Sequence, residues 1–270
     1  MKYSVLMSVY WKDNPDYFRS SIDSIINQTV KPSEIVIVED GPVGKELHEI
    51  ISEIQGVYDH LKLIQLKENQ GLGKALNEGL QHCTYDLIAR MDSDDIAKTD
   101  RMQREIEVFN LYPEIDVVSA WIDEFEGDTS NVTATKKLPE YPYEIMNFAK
   151  RRCPINHPVA MFRKNAVLLA GGYCHFKLFE DYYLWARMLL NGSKFYNIQE
   201  SLLWFRTSND MYKRRGGLKH AFNEIRFQNQ LRKMHFISVW QEITNIMIRF
   251  TTRIIPNKYR KLVYTTFLRK

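Results

Sequence analysis

A chain of 270 residues with 44% hydrophobic and 26% charged residues can bury a substantial core and has an ordinary globular composition, which excludes fibrous, low-complexity and intrinsically disordered classes. Met1-Lys2 leads straight into an apolar run without a signal-peptide pattern, and no uninterrupted apolar stretch reaches bilayer length, so the chain is expected to be cytoplasmic and to span no membrane. The formal net charge of +4 conceals a split: residues 213–270 hold 14 Lys/Arg against two acids, a balance of +12, and residues 1–212 balance at −8.

In chain order, Tyr3–Val9 reads as a buried strand. Residues 17–26 follow with apolar side chains at helical spacing, and Asn14-Pro15-Asp16 supplies a start signal. Residues 34–38 (EIVIV) form a second strand closed by Glu39-Asp40-Gly41-Pro42, and residues 47–54 a second helix. A third strand at 61–66, a helix at 73–80 and a fourth strand at 86–91 complete a β-α-β-α-β-α-β series with short connections. That alternation predicts a parallel sheet covered by helices on both faces. Ligands of such sheets bind beyond the carboxyl ends of the strands, and three polar signals fall there: Ser8 with Tyr10, Asp40, and the run Asp92-Ser93-Asp94-Asp95.

The acidic run carries the most chemistry. Residues two apart in an extended backbone face the same way, so Asp92 and Asp94 can converge on one point. Two hard oxygen ligands with positions left open for phosphate oxygens are what Mg²⁺ or Mn²⁺ uses to hold a nucleotide diphosphate. An acidic turn or a helix N-cap accounts for the same residues without a metal. Asn69-Gln70-Gly71-Leu72-Gly73 holds only a G-x-G, so it reads as a tight helix entry flanking a donor pocket and not as a dinucleotide-binding loop. Three cysteines without C-x-x-C spacing, Cys83, Cys153 and Cys174, indicate neither a disulfide framework nor a zinc site.

The segments SVLMSVY, EIVIVEDGP, NQGLGKALNEGL, ARMDSDD followed by Arg101, and FEDYYLWARMLLNG resemble, in order, the successive signatures of family 2 glycosyltransferases of the GT-A fold. The resemblance spans roughly residues 3–206 and is nearest to bacterial enzymes that build O-antigen or exopolysaccharide repeat units. It implies an αβα sandwich with a mostly parallel, Rossmann-like nucleotide-binding sheet, divided into a donor half (1–100) and an acceptor half (101–212). Residues 213–270 are expected to form a basic, amphipathic helical extension. It also implies a nucleotide-diphosphate sugar donor, UDP-linked, with Ser8, Tyr10, Asp40, Asn69, Arg90, Asp92 and Ser93 around it. Asp92 and Asp94 would ligate Mn²⁺ or Mg²⁺; Asp95 would orient the loop. Tyr10 would offer its ring to the base and Asp40 would accept from the pyrimidine N3–H. A turn before Gly41 is the structural alternative for Asp40, and a salt bridge the structural alternative for Arg90.

A second acidic site, Glu180-Asp181, opens the helix expected at 182–190. Helix capping and the helix dipole favour acids there. Transfer with inversion needs one carboxylate to take a proton from the acceptor hydroxyl, and Asp181 is assigned that role with Glu180 in support. Trp185, one turn on, would stack on a sugar or serve the core. His157, before a strand expected at 159–162, would contact the acceptor or a diphosphate, as would Arg214 and Arg215 in the basic run 213–217. Phe236, Val239, Trp240, Ile243, Met247, Phe250 and Ile254 recur every three or four residues, a stripe that would dock the basic extension on an anionic membrane carrying a polyprenyl-diphosphate-linked acceptor. Nucleic acid is not expected, because no base-reading module is present. A sugar-nucleotide pyrophosphorylase would show a glycine-rich loop near the N-terminus, and a noncatalytic membrane or nucleic-acid adaptor would leave both acidic sites unexplained.

Overall fold

The computed structural model describes residues 1–176, 178–207 and 218–254. Four parallel strands, β1 (Tyr3–Val9), β2 (Glu34–Glu39), β3 (Leu61–Gln65) and β4 (Leu87–Met91), alternate with α1 (Pro15–Ile26), α2 (Lys45–Val57) and α3 (Leu72–His82). β1 shows why a strand forms: Val5, Met7 and Val9 face one hydrophobic cluster with Phe18 and Ile22, while Leu6 faces the other with Val36, Leu76 and Leu80. An apolar run buried on both faces is the mark of a sheet covered by helices on each side.

The chain then adds a short β5 (Ile96–Ala97), α4 (Arg101–Leu111), β6 (Val117–Phe125), β7 (Val132–Lys136), α5 (Pro142–Ala149), β8 (Met161–Arg163), α6 (Lys164–Leu169), α7 (Glu180–Leu190) and β9 (Phe195–Arg206). These strands join the same sheet, in the order β3-β2-β1-β4-β8-β6-β9-β5 with β7 on β6. β4–β8, β8–β6 and β5–β9 run antiparallel and β6–β9 parallel. The strand expected at 159–162 starts later, because His157–Val159 first makes a 3-10 turn through Pro158.

Two further helices, α8 (Leu218–Lys233) and α9 (Val239–Ile254), close the described chain. Phe227, Leu231, Phe236 and Ile237 are buried in the same cluster as Leu184, Trp185 and Met188 of α7. The Phe227 and Phe179 rings stack at 4.5 Å. The start of the C-terminal extension is therefore part of the main core. No described helix is long and apolar enough to cross a membrane.

Candidate active site

β1 lies between β2 and β4 with Val9 level with Glu39 and Met7 level with Met91. The first crossovers run to the β2 side and the next lands on the β4 side, so the sheet has a topological switch point at β1 and β4, where α/β sheets open a crevice. Tyr10, Asp40 and Asp92 emerge side by side at that edge.

The carboxylates of Asp92, Asp94 and Asp95 bring ligand atoms within 4.8 Å of one another. Asp95 is fully buried; its Oδ1 accepts from the Arg206 backbone N–H at 2.9 Å, and its Oδ2 has no protein partner. Burial, then the charges of Asp94 and Asp92, holds its carboxyl well above the ordinary range. Desolvation, then Asp92 and Asp13, pushes Asp94 up to about 6. Since Asp94 is exposed at the mouth of the site, the repulsion between like charges is the cause that survives solvent screening. A buried orphan carboxylate oxygen beside two crowded acids is a donor set that fits a hard divalent cation.

Arg90 is buried and pairs with Asp92, while its Nε and Nη1 find no protein acceptor. Asp13, which no sequence motif singles out, belongs to the site. It accepts from Ser93 Oγ at 2.8 Å and from the Tyr10 N–H at 3.2 Å, tying the end of β1 to the acidic run. Burial, outweighing those two bonds, raises it to about 6. Arg206, at the end of β9, donates to the Asp94 carbonyl at 2.9 Å, and its guanidinium lies against the rings of Tyr17 and Phe125. Ser8 and Tyr10 are half-buried at the strand end.

Asp40 is held in a knot. Its Oδ1 accepts from the Gln70 N–H at 2.7 Å, and its Oδ2 from the Gly71 N–H and Asn69 Nδ2, both at 2.9 Å. Asp40 and Asn69 are thus together, with most of the carboxylate's acceptor capacity spent on the loop before α3.

Two helix N-termini face this edge. Gly73, in the first turn of α3, leaves room for Glu180, whose Cγ lies 3.4 Å from where a Cβ would stand. Asn77 of α3 latches both backbone groups of Tyr173, at 2.6 and 2.8 Å. Leu178 adopts φ +76 as the chain turns into α7, where Glu180 and Asp181 are half-buried. Cys153 Sγ donates to Asp181 Oδ2 at 3.8 Å. Burial raises both acids above the usual carboxylate range. The charge of Arg90 is felt by Asp92, Asp95 and Asp181.

His157 is buried with Nε2 2.8 Å from the Tyr173 hydroxyl. Burial, then Arg90, drives its pKa well below the usual value, so it is neutral. Trp185 is corrected here: it is fully buried among His157, Phe162 and Phe195 and has no face to offer a sugar. Arg214 and Arg215 lie outside the described residues.

A model of glycosyl transferase family 2 matches residues 4–169. The Escherichia coli UDP-Gal:alpha-D-GlcNAc-diphosphoundecaprenol beta-1,3-galactosyltransferase is 38% identical over 269 residues, covering 100% of this chain and 97% of its own. The amylovoran biosynthesis glycosyltransferase AmsE of Erwinia amylovora is 34% identical over 265 residues, covering 97% of each. Among solved structures, S. aureus TarS 1–349 in complex with UDP-GlcNAc aligns with a TM-score of 0.66 at 16% identity, over 94% of this chain and 72% of that one. Of the longer TarS chain, this protein spans 46%. At that identity the TarS likeness speaks for the fold alone, which is GT-A.

Proposed function

The chain belongs to glycosyl transferase family 2 and is a glycosyltransferase, and from that premise we propose that it transfers a sugar from a UDP-sugar to a lipid-diphosphate-linked saccharide with inversion at the anomeric carbon. The observation that carries this reading is the presence of two acidic sites, the crowded Asp92, Asp94 and Asp95 at the strand ends and Asp181 at the start of α7, with the charge of Arg90 felt by both. The E. coli relative's name gives a UDP-linked donor and a diphosphoundecaprenol-linked acceptor, which supports both substrate classes. AmsE's name places a second relative in a polysaccharide pathway.

Each residue then has one task. Tyr10 and the loop knotted by Asp40 and Asn69 bound the nucleoside. Asp13 and Ser93 fix the acidic run against β1. Asp92 and Asp94, with Asp95 behind them, would hold Mn²⁺ or Mg²⁺. That ion, when bound, supplies a Lewis acid that stabilises the departing diphosphate. Asp181 takes the proton from the acceptor hydroxyl as its oxygen bonds to the anomeric carbon and the carbon–oxygen bond to the diphosphate breaks. One displacement with one base leaves the configuration inverted. Asp181's raised pKa makes it the stronger base for this step.

The test combines binding with turnover. Mn²⁺ titration followed by electron paramagnetic resonance should show one site that Asp94→Ala weakens by at least about tenfold. Chelator should stop transfer from UDP-sugars to a synthetic alkyl-diphosphate-linked sugar. Undiminished turnover of Asp94→Ala in chelated buffer removes the metal from the reading.

A further inference from the structure

Helix α9 is turned inside out relative to an ordinary surface helix. Asn245, Arg249 and Glu242 turn toward the protein. Asn245 is buried and donates to Gln228 Oε1 at 2.9 Å and to the Lys150 carbonyl at 2.9 Å. Arg249 pairs with the buried Glu224 at 2.8 Å and donates to the Arg151 carbonyl. Glu242 pairs with Arg232 at 2.5 Å. Its apolar residues face solvent: Val239, Trp240, Ile243 and Met247 are 56, 77, 42 and 64% exposed. The polar contacts dictate this orientation, since reversing the helix would bury the stripe only by stripping Glu224, Gln228 and Arg249 of their partners.

The segment joining α5 to the core touches both this helix and the catalytic one. Its Lys150 and Arg151 carbonyls receive α9, its Ala149 carbonyl receives the Tyr182 hydroxyl of α7, and its Cys153 reaches Asp181. Between α9, whose outer face carries the apolar stripe, and the carboxylate assigned to the acceptor hydroxyl therefore stands a segment with three successive cations, Lys150, Arg151 and Arg152. A lipid-linked acceptor has the same order: hydrocarbon, diphosphate, sugar.

We infer that α9 lies flat on an anionic membrane surface and that Lys150, Arg151 and Arg152 hold the acceptor's diphosphate between that surface and Asp181. The inference rests on the glycosyltransferase reading and adds the path by which the acceptor arrives. A bilayer is the occupant that fits. The extension's +12 balance repels a second copy and is drawn to an acidic leaflet. One helix face also falls far short of the roughly 20–30 residues a side of a stable protein interface. The described part of α9 is neither long nor apolar enough to span, and an interfacial placement suits Trp240.

The experiment uses the full chain in two arms. In the first, co-sedimentation with phosphatidylglycerol-containing vesicles should exceed that with neutral phosphatidylcholine. The Trp240→Glu/Ile243→Glu variant, altered only at exposed positions, should bind at least about tenfold more weakly while turning over a water-soluble, short-chain alkyl-diphosphate sugar normally. In the second, Lys150→Ala/Arg151→Ala should raise KM for that soluble diphosphate acceptor severalfold and leave KM for the UDP-sugar unchanged. Equal vesicle binding by wild type and variant, a dimer that the variant dissociates, or an unchanged acceptor KM in the second arm overturns the inference. Wild-type turnover of the soluble acceptor reports separately on the reaction itself.

Discussion

Asp181 shows how a single side chain is made reactive by its surroundings. It stands in the first turn of a helix, where the dipole favours the anion, yet burial dominates and lifts its pKa. A base with a raised pKa holds a proton more firmly once it has taken one, and is also protonated, and so idle, at higher pH than a free carboxylate. The acid limb of kcat/KM should therefore lie above the ordinary aspartate value near 4. Asp181→Asn keeps the shape and removes the base. Turnover should fall by roughly two to four orders of magnitude, with the UDP-sugar KM within about a factor of three of wild type and the acid limb lost from the residual activity. Near-normal turnover would shift the role to Glu180. Trp185, four residues along, shows the limit of reading such a helix from sequence: one-turn spacing from a catalytic acid serves a sugar platform and a core residue equally, and only the packing of His157, Phe162 and Phe195 around it decides for the core.

At the scale of elements, residues 1–100 were legible and the rest much less so. β1 through β4 advertise themselves because each is a local apolar run closed by polar residues, and β1, β2 and β3 also pair with their neighbours in the chain. The later strands have no such locality. β6 pairs in parallel with β9 some 78 residues on, and β5 is two residues long, so no local period reveals either. Asp13 was missed for a related reason: its partner Ser93 is 80 residues away. The turn after β2 was legible as a turn but not as a knot. Gly41 has φ +82, and a Cβ there would stand 2.5 Å from the Asn69 nitrogen and 2.9 Å from the Glu68 carbonyl carbon, both backbone atoms that cannot swing aside. Gly41→Ala combines a left-handed backbone cost of about 1 kcal/mol with overpacking of about 1–3 kcal/mol. Tm should fall by roughly 4–12 °C. Because the displaced loop carries the groups that bond Asp40, calorimetric affinity for UDP should drop by about tenfold as well. A Gly41→Ala protein with wild-type Tm and UDP affinity would show that this approach is not tight.

The whole molecule carries an unusual number of acids whose native pKa is raised: Asp13 to about 6, Asp94 to about 6, Glu105 to about 7, and Asp95 well above the ordinary range. For Glu105 the first cause is burial, opposed by Arg101, with which it forms a fully buried pair at 3.1 Å. An acid raised on folding binds its proton more tightly in the native state than in the unfolded one, so its contribution is fully present below the unfolded pKa near 4 and is lost as pH rises through the folded value. Glu34 and Asp123, whose pKa values are lowered, act oppositely, but their contribution disappears only below about pH 4. His157, held neutral by burial, works against them as pH rises from 5 through its unfolded value near 6.5, but it is one group against four, so between pH 5 and 8 the raised acids govern the slope. Metal-free protein should accordingly lose stability across that window, and the loss has two separable parts. Glu105→Gln removes one, so the difference in unfolding free energy between wild type and Glu105→Gln should decline by about 3 kcal/mol from pH 5 to 8. A divalent cation answers the other by stabilising ionised Asp92, Asp94 and Asp95, so excess Mn²⁺ should raise Tm more at pH 8 than at pH 5 in both proteins. Denaturant unfolding at four pH values, with and without Mn²⁺, measures both. A wild-type to Glu105→Gln difference that stays flat with pH would mean that Arg101 keeps Glu105 ionised throughout, and an equal Mn²⁺ effect at pH 5 and pH 8 would detach the acidic cluster from cation binding.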